Sequence, residues 1–132
     1  MKAIRLIALA ACMAATLDAS AQEQEIRLFS HRGGRMEHDE NTLSAFQASY
    51  DAGYRGFETD IRMTRDGALV ITHDSSLERT TDGTGTVEEK TEAEIRQLAT
   101  KQGNKMMFLD ELLEFLKGKE GLYVEFEMKS KP

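Results

Sequence analysis

The chain is poor in the residues that would build the commoner kinds of site. A single cysteine, Cys12, occurs in 132 residues, and the sequence has no paired cysteines or closely spaced paired histidines. A zinc site therefore has no ligand set. No basic cluster is present to displace counterions from a phosphate backbone, which argues against a nucleic-acid partner. The longest apolar run, near the N-terminus, is too short to cross a bilayer. Internal repeats and low-complexity segments are absent too.

That apolar run is LIALAACMAATL, preceded by Lys2 and Arg5 and followed by Ala19-Ser20-Ala21. A basic start, a short apolar core and a small-x-small site together describe a secretory signal over residues 1–21, with Gln22 as the mature N-terminus. The expected location is periplasmic or secreted. LAAC at 9–12 resembles a lipoprotein box, the lesser alternative, in which Cys12 would carry a lipid. If Cys12 leaves with the signal, no disulfide can form. Without Lys2, Arg5 and Asp18 the 17 basic and 23 acidic residues become 15 and 22, a formal charge of −7.

Residues 22–132 read as an α/β unit. EIRLFS at 25–30 is a β-type run that stops at His31-Arg32-Gly33-Gly34. Asn41 or Thr42 can cap a helix that places Leu43, Phe46 and Tyr50 on one face, with Ala45 and Ala48 beside them, and Gly53 ends it. GFETDIRMT and LVITHD flank Asp66-Gly67, a strong hairpin signal. With those two residues as the loop, Asp60 faces His73 and shares its side of the ribbon with Glu58. Residues 75–90 read as an irregular polar excursion. Thr91 and Glu94 form a capping box for a short helix, and Leu109, Leu112, Leu113 and Leu116 mark another. LYVEFEMK closes as an alternating strand with Glu125, Glu127 and Lys129 on one side.

Glu58, Asp60 and one glutamate of the last strand offer oxygen ligands for a hard cation, Mg²⁺ or Ca²⁺. His31 and His73 each follow a β-type run, where loops build sites in α/β folds, and two imidazoles can divide the roles of general base and general acid. Arg32 beside two glycines suits an anion, and a plain turn accounts for the glycines equally well. Lys129 adds a second positive group. His38 has no evident chemical partner and reads as structural.

Taken in order, FSHRG at 29–33, ENTLSAF at 40–46, GFETDIRMTRDGALVITHD at 56–74, LERTTDGTG at 77–85, LDELL at 109–113 and VEFEMK at 124–129 resemble the glycerophosphodiester phosphodiesterase family. The resemblance implies a TIM-type (β/α)8 barrel with a small insertion at about residues 75–90. It implies divalent-cation-dependent hydrolysis of glycerophosphodiesters to sn-glycerol 3-phosphate and an alcohol. It assigns His31 and His73 to acid/base catalysis, Arg32 to the phosphate, Glu58, Asp60 and Glu127 to the metal, and Glu40 and Lys129 to further substrate-binding positions. The sequence departs from the family at Asp39 and at Met106-Met107-Phe108, where the family usually has proline.

A barrel of this kind usually needs about 250 residues. The expectation is therefore that 22–132 is the N-terminal part of a longer, truncated domain, leaving sheet edges uncovered. Two alternatives stand beside hydrolysis: a phosphatidylinositol-specific phospholipase C-like lyase, which would release a cyclic inositol phosphate, and a non-catalytic fragment or binding module.

Overall fold

A computed structural model describes residues 26–130. The expected signal, Cys12 and Gln22 lie outside them. Among the described residues, no helix is long and apolar enough to cross a membrane.

The strands and helices follow in the order β1 (Phe29–His31), α1 (Leu43–Asp51), β2 (Gly56–Met63), β3 (Leu69–Ile71), α2 (Glu92–Ile95), α3 (Leu109–Leu116) and β4 (Tyr123–Met128). β2 is central, and β1 and β4 both run parallel to it. Ile61 pairs with Met128 of β4 and with Ile71 of the antiparallel β3, so β3 and β4 lie on opposite edges of β2. β3 thus continues the edge that β1 leaves at His31.

Phe57 and Ile61 of β2 join Phe46 of α1 and Leu112 and Phe115 of α3 in the main core. The Phe46 and Phe57 rings meet edge to face at 5.6 Å. Side chains alternate along a strand, so Glu58 and Asp60 project to the face away from those helices. A greasy helix-facing side and a charged opposite side are both written into the one segment GFETDI.

Local signals explain most element boundaries. Thr42 caps α1, its Oγ1 accepting from Ala45 N–H at 3.3 Å. Gly53, with φ of 95°, closes the same helix. The Thr91–Glu94 capping box forms as expected at α2.

Four expectations need correction. β1 begins only at Phe29, four residues later than the pattern suggested. α1 buries Ala45, Phe46 and Ser49 while Leu43 is exposed, because Ser49 turns toward the His-Arg-Gly-Gly loop: its Oγ donates to the Gly33 carbonyl at 3.0 Å. In α3, Leu112 and Phe115 are buried and Leu113 is exposed. The 75–90 segment is not merely a polar excursion, since Leu77 and Val87 anchor a second core with Val70, Ile95, Met106 and Phe108.

The hairpin is also shifted by one residue. Ile61 faces Ile71, Arg62 faces Val70 and Met63 faces Leu69. Thr64 closes the turn, its Oγ1 accepting from Ala68 N–H at 2.9 Å and donating to Asp66 at 2.7 Å. Gly67 takes φ of 91° inside a three-residue loop. Asp60 therefore lies opposite Thr72, whose N–H donates to the Asp60 carbonyl at 3.0 Å, and not opposite His73.

Candidate active site

The charged residues gather where β1, β2 and β4 end. β4 runs in register with β2, so Glu125 stands beside Glu58 and Glu127 beside Asp60. Ligand atoms of Glu58, Asp60 and Glu127 all lie within 4.8 Å of one another. Two oxygens bound to one hard cation at about 2.1–2.6 Å are separated by at most about 5 Å, so a single ion can reach all three.

Asp60 is the buried member. Arg32 Nε stands 3.1 Å from its Oδ2 and Lys129 Nζ 3.3 Å from its Oδ1, while Asn41 Nδ2 donates to Oδ2 at 3.1 Å. The Arg32 and Lys129 contacts place opposite charges together without the direction of a hydrogen bond, and Asp60 Oδ1 is a buried acceptor with no hydrogen-bond partner among the described residues. Three carboxylates within reach of one ion, with a buried oxygen of Asp60 that is ion-paired but accepts no hydrogen bond, fit a hard divalent ion.

Burial pushes the Glu58 carboxyl above its ordinary range, and the charge of Asp60 adds to the rise. Glu127 is held low, chiefly by the Lys129 ammonium, which reaches its Oε1 at 2.6 Å. Lys129, expected as a second positive group for the substrate, thus contacts two of the three acids.

His31 Nε2 lies 3.5 Å from Glu58 Oε2. His73, beyond the paired part of β3, contacts Asp74 Oδ1 through Nδ1 at 2.6 Å. Through Asp74, Arg79 and Glu40 it is joined to Arg32, which contacts the carboxylate cluster. The register slip therefore does not remove His73 from the site; the chain after Ile71 returns it there.

Arg32 has φ of 54° and a nearly buried side chain. Its Nη1 donates to Glu40 at 3.2 Å, and its own N–H donates to Glu58 Oε2 at 3.1 Å. The two glycines beside it do not form an anion cradle. Gly33 N–H donates to Ser30 and Gly34 N–H to His31 within the loop. Gly33 is required by packing instead, because a Cβ there would lie 2.9 Å from that of Ala45. His38 stays outside the charged cluster, its ring against Gly34.

Several contributors were not singled out by sequence. Asp74 follows His73 directly, and consecutive residues of a regular strand point apart, so their contact is visible only once β3 is known to end at Ile71. Arg79 bridges Glu40 and Asp74 from within a polar stretch that has no periodicity. Asn41, foreseen only as a cap, instead takes φ of 58° and holds Asp60. Asp39, at a family proline position, accepts hydrogen bonds from Thr100 and Asn104 and so ties the loop down by other means.

Residues 31–132 match the model of the glycerophosphoryl diester phosphodiesterase family. The chain belongs to this family. It is 36% identical over 110 residues to a glycerophosphodiester phosphodiesterase of Caldanaerobacter subterraneus, covering 78% of this chain and 45% of that one. It is 44% identical over 73 residues to human glycerophosphodiester phosphodiesterase 1, covering 55% and 22%. Among solved structures, it is similar to a glycerophosphodiester phosphodiesterase from Agrobacterium tumefaciens, with a TM-score of 0.70 and 34% identity over 77% of this chain and 47% of that one. An Oleispira antarctica phosphodiesterase, solved with the product sn-glycerol-3-phosphate, gives 0.73 and 31% over 79% and 44%.

The fold is that of the N-terminal portion of the family's TIM-type barrel. This member of the family spans about 45% of the length of the Caldanaerobacter relative. Its β1, β2 and β4 are parallel barrel strands, and the charged cluster lies at their C-terminal ends, where barrels of this type carry their active sites.

Proposed function

We propose that the protein carrying this sequence hydrolyses glycerophosphodiesters to sn-glycerol 3-phosphate and an alcohol, using a divalent cation, Ca²⁺ or Mg²⁺, and the imidazoles of His31 and His73. The observation that carries the reading is the Glu58–Asp60–Glu127 cluster with His31 and Arg32 in contact with it and His73 joined to Arg32 through Asp74, Arg79 and Glu40. The product bound by the Oleispira relative supports the substrate class.

Glu58, Asp60 and Glu127 would hold the cation, which when bound draws negative charge from the phosphate oxygens and lowers the barrier to attack. Arg32 and Lys129 add positive charge on the same side. Glu40 holds Arg32 in place. One histidine accepts the proton of the substrate's own glycerol hydroxyl as that oxygen attacks phosphorus. The other donates a proton to the alcohol oxygen as its bond to phosphorus breaks. Water then opens the cyclic phosphate with the two roles reversed. The nitrogen of His73 opposite Asp74 is the one suited to this exchange, because the carboxylate engages Nδ1. The pattern of residues 1–21 supports an exported enzyme.

The product of the full reading frame is assayed on glycerophosphocholine for sn-glycerol 3-phosphate. Hydrolysis is expected to stop with a chelator, to return with Ca²⁺ or Mg²⁺, and to fall about 10²–10⁴-fold in His31→Ala and in His73→Ala. Chelator-resistant turnover, or release of a cyclic inositol phosphate from phosphatidylinositol in its place, would contradict the reading.

A further inference from the structure

Arg79 stands outside the metal cluster, yet it links the two loops that carry the imidazoles. Its Nη1 donates to Glu40 Oε2 at 3.0 Å and its Nη2 to Glu40 Oε1 at 2.7 Å, a fork meeting a fork. Its Nε donates to Asp74 Oδ2. The other oxygen of Asp74 contacts His73 Nδ1 at 2.6 Å, and Glu40 also accepts from Arg32 Nη1. An unbroken polar chain therefore runs from Arg32 through Glu40, Arg79 and Asp74 to the ring of His73.

We propose that Arg79 is a positioning residue for His73: by fixing the Asp74 carboxylate it holds the imidazole as the Nδ1–H tautomer and leaves Nε2 as the nitrogen that exchanges the proton.

The carboxylate of an aspartate rotates broadly about its last bond, so contact with one imidazole nitrogen does not set its orientation. Asp74 is only partly buried, and water competes for any oxygen left unpaired. Arg79 removes that freedom by occupying Oδ2 while Oδ1 meets the ring. Arg79 is in turn fixed by its two-point contact with Glu40, and a guanidinium can serve both acids at once through different edges. An exposed ion pair is worth little on its own, and Arg79 is about half exposed, but a shared bidentate network is the exception to that rule. The backbone of His73 is anchored separately, since Arg62 Nε donates to its carbonyl at 2.9 Å. Loss of Arg79 therefore frees the ring and its carboxylate without releasing the loop.

The consequence for turnover rests on the phosphodiesterase reading, but the tautomer does not, so the two fail separately. Histidine ¹⁵N shifts are recorded on the full-length protein at about pH 8.5, above the ordinary imidazole range. His73 is expected to be predominantly Nδ1–H in the natural protein and a mixture in Arg79→Ala. Millimolar guanidinium chloride is expected to restore the Nδ1–H form in Arg79→Ala. Arg79→Lys keeps the charge but lacks the fork; it is expected to stay mixed, and it decides the question alone if Arg79→Ala does not fold. In turnover, Arg79→Ala is expected to lower kcat about 10–100-fold with KM little changed. It should also show the same dependence on leaving group as His73→Ala when p-nitrophenyl and choline diesters are compared. An unchanged tautomer in Arg79→Lys and in any folded Arg79→Ala, or a loss of melting temperature with a leaving-group dependence that differs from that of His73→Ala, would overturn the proposal.

Discussion

Asn41 combines a backbone and a side-chain role that few residues can fill together. Its φ of 58° is the left-handed conformation, which asparagine tolerates better than most residues. Its Nδ2 donates to buried Asp60 and its Oδ1 accepts from Thr59 Oγ1 at 3.1 Å. Asn41→Gly keeps the backbone and loses the bonds; Asn41→Ala loses both. Urea unfolding should show Asn41→Gly destabilised by about 1–3 kcal/mol, for leaving a buried charge less well paired. Asn41→Ala should lose about 1 kcal/mol more, the additional cost of the left-handed backbone. Equal losses would mean that the turn carries no conformational demand. In the sequence Asn41 and Thr42 were interchangeable caps, and only the path of the chain separates their work.

At the scale of elements, the carboxylate cluster was legible because strand alternation is robust. Glu58 and Asp60 share a face whatever their partner strand, and β4 carries Glu127 on the same parity as Glu125. Hairpin register was not legible, because Asp-Gly serves both a two-residue turn and a three-residue turn with a left-handed glycine. Thr64, through its side chain, selects the longer one. The insertion was misread for a related reason: two apolar anchors, Leu77 and Val87, are too few to create a period.

The insertion is also tied down by charge. Glu88 accepts from Ser75 at 2.6 Å, Arg62 at 2.7 Å and Ser130 at 2.8 Å, and so joins the short 3-10 turn Val87–Glu89 to β2 and to Ser130, two residues past the end of β4. Burial raises its pKa, but those donors outweigh it and hold the carboxyl down to about 2. A folded-state value below the ordinary 4.5 adds stability that is complete above 4.5 and is lost as pH falls toward about 2. The urea midpoint of the natural chain should therefore exceed that of Glu88→Gln above this window, and the gap should close within it. A gap that persists to the acid end would show that hydrogen-bond geometry, not ionisation, anchors the loop.

For the molecule as a whole, the helices cover one face of the described sheet over β2 but leave the same face of β4 largely open. Phe46, Leu112 and Phe115 pack on β2, whereas Leu28, Phe29, Phe126 and Met128 along β1 and β4 remain exposed. Among the described residues β1 and β4 each pair with β2 alone. Across that sheet the strands deliver residues far apart in sequence to one place, and the account stands on what those residues hold. Calorimetric titration of Ca²⁺ and of Mg²⁺ into chelator-treated full-length protein tests it most directly, with Asp60→Asn and Glu127→Gln alongside. One ion bound per chain by the natural protein, with binding abolished in Asp60→Asn and weakened at least tenfold in Glu127→Gln, is the predicted result. Failure to bind either ion, or binding that survives both substitutions unchanged, would contradict it.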